Sequence, residues 1–205
     1  MVWPFPAGSS PFRIKGAAYR GHLQYVSREL PGGLPAMLEA IEPSHVPFFQ
    51  EGFLANRWYD IWPLVAAATP CARLAGRDVG EFLQARSRWQ AKQDVKGIYR
   101  SFVRILSNRT VATQLPRLFG LYLDFVRTEV EEVEDGVLRA TLHGVPAAMA
   151  GWFATIFPSY METILEVGGF DAGPLPLRGP GPDGEAHGVR TVWLGFRMDL
   201  RSPPR

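Results

Sequence analysis

Apolar positions along the chain recur at helical spacing from Tyr19 to about Asp124, and alternation takes over in several stretches after that. In "YRGHLQYVSREL", Leu23, Val26 and Leu30 share one face, and Pro31, Gly32 and Gly33 stop the helix. A second short helix is predicted from about Leu34 to Ile41, and a third from Val46 to Asn56. In "NRWYDIWPLVAAA" the residues Trp58, Ile61, Trp62, Val65 and Ala68 form the stripe of a half-buried helix. Asp60 is placed to cap it, Pro63 falls where no intrahelical N–H is needed, and Gly76 is a natural C′ residue, so a helix over 61–75 follows. Asp78 to Ser107 is the longest helical pattern, and another runs from Thr110 to about Leu123, bent or restarted at Pro116.

Beyond Phe125 the segment "FVRTEVEEVEDGVLRATLHG" is β-branched and pivots on Asp135-Gly136, a hairpin signal. Helical spacing returns in "VPAAMAGWFATIFPSYMETILEVGG", split at Pro158. The Pro/Gly-rich residues 171–188 are expected to be a flexible loop. In "RTVWLGFRMDL", Val192, Leu194, Phe196, Met198 and Leu200 alternate with Thr191, Trp193, Arg197 and Asp199, the pattern of a one-sided strand. The expected fold is α+β in a single domain over 1–205. An extended arm (1–15) precedes a mainly helical body (16–124), and 125–200 supplies a hairpin, a helix and a last strand that complete a small antiparallel sheet.

Composition narrows the function classes. A chain of 205 residues, 46% hydrophobic, is long enough for one well-buried core. Its net charge of +2 gives no whole-molecule attraction to nucleic acid or an anionic membrane. The lone Cys71 excludes an internal disulfide and multi-cysteine zinc sites, and its apolar helical setting predicts a buried inert thiol. Pro4, Pro6 and Pro11 break up the N-terminus too densely for a signal-peptide core, and nothing is apolar enough to span a bilayer. A cytoplasmic protein is expected, with no cofactor and no membrane or nucleic-acid partner.

Catalytic signatures such as GxSxG, GxxxxGK[ST] and HExxH are absent, and His22, His45, His143 and His187 offer no metal-ligand spacing. "GPGPDGEAHG" resembles a phosphate cradle, but its prolines remove backbone donors and no helix follows. Arg88, Lys92, Lys96, Arg100 and Arg104 recur at i+4 as a basic stripe about 24 Å long. Glu129, Glu131, Glu132 and Glu134, with Asp135, make the hairpin acidic. The stripe and the hairpin are candidate partner-binding surfaces that pair with each other within one chain or across a two-fold axis. The candidate ligand wall is aromatic and polar together: Arg57, Trp58, Tyr59, Asp60 and Trp62, with Trp89, Asp94 and Tyr99 on the long helix.

The set "IKGAAYRGHLQYV", "RWYDIWPL", "ARLAGR", "RWQAKQDVKGIYR" and "TQLPRLFG" resembles an uncharacterised paralogous family of about 200 residues expanded in myxobacteria, over roughly Arg13 to Gly169. That likeness implies no activity. The order of helices, hairpin, helix and strand is also similar to the ligand-binding domains of haem nitric-oxide sensors, vinyl-reductase-type sensor modules and related transport-complex subunits. The haem sensors' Y-x-S-x-R motif is incomplete here: "YRSFVR" keeps Tyr99 and Ser101 but has Val103 in place of the arginine. The sensor modules' cysteine ligands are absent too. The likeness therefore implies a pocket-bearing fold and not a haem or metal site.

The function expected on these grounds is a non-catalytic sensor or adaptor that binds a small molecule or a partner and forms a homo-oligomer. One rival is a peptide-binding accessory protein that pairs an extended peptide along the edge of the Thr191 to Leu200 strand. The other is an enzyme of specialised metabolism using Asp60, Tyr59, Asp94 or His143 in acid–base roles. The charge pairing predicts more than one copy per particle by light scattering at low salt. A monomer at both low and high salt would sink it.

Overall fold

The computed structural model describes residues 3–96, 120–134, 137–167 and 173–199. Leu30 N–H closes the first helix on the Val26 carbonyl, and Gly32 and Gly33 then turn the chain at positive φ, so the Pro-Gly-Gly stop acts where the sequence puts it. That helix, α1 (Gly16–Glu29), follows directly on strand β1 (Arg13–Lys15). Helix α2 (Gly33–Ala40), a 3-10 turn (Pro43–His45) and α3 (Val46–Gln50) come next. The helix expected to reach Asn56 ends six residues early, and an irregular stretch leads into β2 (Trp58–Asp60), which pairs antiparallel with β1.

The segment 61–75 divides into α4 (Trp62–Ala66) and α5 (Ala68–Leu74). After α5 the Gly76 N–H reaches the Arg73 carbonyl and the Arg77 N–H the Ala72 carbonyl, with Gly76 at φ +62°. This is a Schellman end, as the sequence predicts. Helix α6 (Val79–Lys96) is the described part of the long helical pattern; what was expected of 97–119 lies outside the described residues. The chain divides into two compact units, Met1–Arg86 with Tyr122–Asp124, and Ser87–Leu121 with Phe125–Arg205.

In the second unit, β3 (Arg127–Glu134), β4 (Val137–Pro146), β5 (Leu177–Ala186) and β6 (Val189–Asp199) form an antiparallel sheet of order β3-β4-β6-β5. Between β4 and β5 the chain forms a 3-10 turn (Ala147–Met149) and helix α7 (Ala150–Val167). Phe157 of α7 stacks on Phe196 of β6 with ring centres 4.2 Å apart, over a core that includes Leu138, Leu142 and Leu194. Helix α7 runs through Pro158 rather than splitting there. Trp152 and Phe153 before the proline and Met161, Ile164 and Leu165 after it are all buried. That burial on both sides outweighs the roughly 3 kcal/mol an interior proline costs.

Two readings are corrected here. Residues 177–186 are a strand rather than part of a flexible loop, because a Pro-rich segment is admissible at a sheet edge and its glycines make room for an indole. A Cβ on Gly181 would lie 2.3 Å from Trp193 Nε1. In consequence β6 is paired on both sides over Thr191–Phe196, by β4 and by β5, which leaves no open edge there along which a peptide could add.

The first unit buries Cys71 completely, and burial pushes its thiol up to about 12. His22 on α1 is only 1% exposed and neither ring nitrogen has a hydrogen-bond partner. Burial, and secondarily the Arg86 guanidinium, hold its pKa well below the usual imidazole range. A neutral His22 in the fold takes a proton on unfolding, so its share of stability is complete above pH ~6.5 and is lost as the pH falls toward the folded-state pKa. His22→Phe is expected to shrink the loss of unfolding free energy between pH 7 and pH 5 by about 2 kcal/mol in denaturant titrations. An unchanged pH dependence would refute a neutral His22.

Candidate functional site

The short ladder of β1 and β2 sets Arg13 opposite Asp60, Ile14 opposite Tyr59 and Lys15 opposite Trp58. Asp60 is 3% exposed, yet its carboxylate is fully engaged. Oδ1 accepts the Trp62 N–H at 2.8 Å, at the entry to α4, and Oδ2 accepts the N–H of Gly8 at 3.0 Å and of Ser10 at 3.2 Å. Burial raises its pKa, against the opposing pull of these amides and the Ser10 hydroxyl. Asp60 therefore does cap the following helix, but from a strand and while holding a second segment.

Tyr19 of α1 fixes the same corner from behind. Its hydroxyl donates to the Asp60 carbonyl and accepts the Leu64 N–H, and its ring stacks on Phe53 with centres 4.4 Å apart. Burial and the nearby Asp60 charge raise its pKa well above the usual phenol range, so it stays a donor. Tyr59 packs edge-on to Phe53 and Phe48, and its hydroxyl accepts the Leu54 N–H at 2.9 Å. Gly16 allows this approach: its N–H donates to the Arg57 carbonyl, and a Cβ there would stand 2.2 Å from Leu54 O and 2.7 Å from the Tyr59 ring.

Together these elements leave an open groove of about 530 Å³. The chain segment Ala7–Ser10 forms one side, Phe48, Glu51 and Gly52 another, and Arg13 with Arg57, Trp58, Tyr59 and Asp60 the rest. The Arg13 charge is taken up by Asp124. Arg57 lies over the Tyr59 ring at 6.0 Å, and Lys15 sits 3.6 Å over Trp58 while donating to the Asn56 carbonyl. A surface offering a guanidinium, hydroxyls and ring faces suits a small polar organic molecule with an unsaturated or aromatic part.

Of the residues expected to bind ligand, Arg57, Trp58, Tyr59 and Asp60 line this groove. Trp62 is not among its lining; it stacks on Trp3, centres 4.6 Å apart. Trp89 and Asp94 belong to the second unit, where Asp94 accepts from Gln90 Nε2 and the Tyr160 hydroxyl. Tyr99 lies outside the described residues. The sequence reading missed Gly8, Ser9 and Ser10. A glycine followed by two serines between prolines was a legible turn signal, but not one that names a neighbour 50 residues away.

Of the acid–base candidates, Tyr59 and Asp60 lie in the first unit, and Asp94 and His143 in the second. His143 Nδ1 meets Asp183 Oδ1 at 2.9 Å and its Nε2 faces Glu129 at 3.5 Å. The acidic hairpin finds partners on its own sheet, Glu129 with Arg127 and Glu131 with Arg139. Glu132 and Glu134 pair by backbone in β3, and their side chains are not described. Arg88 and Lys92 are exposed on α6; the Lys96 side chain, Arg100 and Arg104 lie outside the described residues.

The comparisons with solved structures settle the architecture. An oxygen-binding H-NOX domain related to soluble guanylate cyclases matches with a TM-score of 0.63 at 12% identity, over 94% of this chain and 97% of that one. An H-NOX protein from S. oneidensis matches at 0.61 and 10%, over 94% and 100%. An H-NOX protein from K. algicida matches at 0.58 and 10%, over 92% and 97%. The chain has the H-NOX fold. No family model matches it, and no curated protein does.

Haem iron takes an axial histidine, cysteine, methionine or tyrosine. The groove has no histidine, cysteine or methionine, and its one tyrosine hydroxyl is engaged by the Leu54 amide. His22 is sealed in the core beside Phe49, and His143 is tied to Asp183. Among the described residues, this groove offers no free axial ligand for a haem iron.

The wall of the groove depends on the close approach at Gly16. Gly16→Ala is expected to cost about 1–3 kcal/mol of stability by displacing the 54–59 segment. Urea unfolding would show it, and an unaltered midpoint would mean the approach is looser than described.

Proposed function

We propose that this chain is a non-catalytic sensor or adaptor module that binds a small organic molecule in the groove between Ala7–Ser10 and Arg57–Asp60. The observation that carries the reading is the convergence of Arg57, Trp58, Tyr59 and Asp60 with the N-terminal segment on one 530 Å³ groove. The H-NOX fold supports it, because the matched domain of 97% coverage is described as binding oxygen. The lining of this groove offers a guanidinium, hydroxyls and aromatic rings and no haem ligand, so the molecule proposed for it is an organic one. In keeping with the sequence reading, the module is cytoplasmic and homo-oligomeric, with the exposed Arg88 and Lys92 available to a partner.

A small-molecule screen read by thermal shift and tryptophan fluorescence tests the proposal. A true ligand at about 100 times its Kd adds about 2.7 kcal/mol of stability and perturbs Trp58. Arg57→Ala is expected to weaken that ligand at least about tenfold, the loss of one charge-assisted hydrogen bond. Hits that bind Arg57→Ala and Tyr59→Ala as well as the wild type would overturn the reading.

A further inference from the structure

Residues 3–12 have no regular secondary structure, yet they are fastened at defined points. At one end Trp3 is 8% exposed, stacks on Trp62 at an interplanar angle of 11°, and meets Phe5 and Phe12 on its flanks. In the middle the Gly8 and Ser10 amides donate to Asp60 Oδ2. At the other end the Phe12 carbonyl accepts the Ile61 N–H, and β1 begins. Between these points Pro4, Pro6, Gly8 and Ser9 are not buried.

The tip has a shape of its own. Ser9 donates to the Pro6 carbonyl through both its N–H and its hydroxyl, and Gly8 sits at φ +84°. Pro4 and Pro6 restrict the freedom the segment regains when it is loose, so reclosing costs little entropy. A preformed tip, a hinge at Phe12 and two discrete fastenings describe a flap that can open without disturbing the β1–β2 ladder.

We propose that residues 3–12 are a flap that gates the groove, with the Trp3–Trp62 stack as its latch and the Asp60 carboxylate as its catch. The inference rests on the proposed ligand-binding role of the groove. Ala7, Gly8, Ser9 and Ser10 form one wall, and Arg57 and Tyr59 stand among the others. A molecule seated between them touches flap and body at once, so it binds the closed form and shifts the flap toward closure. Occupancy is thereby converted into order at the N-terminus and into the state of a tryptophan pair, which is the output a sensor module requires.

Hydrogen exchange with the anionic aromatic dye anilinonaphthalenesulfonate tests the gate. In the free protein the Gly8 and Ser10 amides are expected to exchange together and faster than the Gly16 and Ala17 amides, which bond the Arg57 and Ala55 carbonyls. Dye at about ten times its Kd slows both flap amides about tenfold, because it must dissociate before the flap opens. Trp3→Ala, outside the groove lining, accelerates both in the free protein by about tenfold, the weight of one aromatic stack. Its unchanged Gly16 and Ala17 exchange serves as the check on folding.

Flap amides that exchange only at the rate of the Gly16 and Ala17 amides overturn the gate, as does Trp3→Ala without effect on them. Dye binding that Arg57→Ala abolishes but that leaves flap exchange unchanged means the groove binds ligand and the flap does not gate it. Dye binding indifferent to Arg57→Ala, or no binding, overturns the groove reading and the gate with it.

Discussion

A single buried carboxylate organises the N-terminal unit. Asp60 gathers the amides of Gly8, Ser10 and Trp62, which belong to segments that share no backbone ladder with one another. Taking a carboxylate out of water costs several kcal/mol, and only well-placed donors offset it. An ionised aspartate is acceptor-only on both oxygens, so it can serve three donors at once. An asparagine would turn N–H groups toward amides that are themselves donors. The position therefore demands aspartate, and the N-terminal segment and the start of α4 meet at it.

Tyr19 makes that corner part of the core. Its hydroxyl joins the Asp60 carbonyl to the first turn of α4, and its ring lies among Phe48, Phe49, Phe53 and Tyr59. The wall of the groove formed by β2 and the 48–54 segment is thus the outer surface of a packed aromatic cluster, with little freedom to yield. The opposite wall is a segment held by two amides and a ring stack. That segment is anchored at its ends by the buried rings of Trp3 and Phe12, with the more exposed residues Pro4 to Ser9 between them.

Much of this was legible in the sequence, and the failures have physical causes. The Pro-Gly-Gly stop and the Schellman end at Gly76 are local devices, and local chemistry decides them. The stripe through Trp58 and Ile61 misled because Trp58 to Asp60 are drawn into a strand by a partner 45 residues earlier. Propensity cannot see that partner. The β5 strand was hidden for the same reason: its glycines answer to Trp193 and not to their own neighbours. At the site, Arg57 to Asp60 could be singled out because their composition is odd for a core, whereas Ser9 and Ser10 acquire meaning only through Asp60.

The likeness to H-NOX domains fixes a scaffold and leaves its chemistry open. At 10–13% identity, few side chains are shared with these domains over a backbone that matches nearly end to end. A fold tolerates such turnover where the replaced groups line a cavity, since only shape and burial must be kept. The groove residues here are tied to one another by bonds particular to this chain: Asp60 to the flap, Tyr59 to Leu54, Lys15 over Trp58. Such mutual commitment holds the Trp58 and Tyr59 rings in place, and a preordered surface lowers the ordering cost of any binding. The scaffold accounts for how a pocket can exist, and these residues for which molecule would fit it.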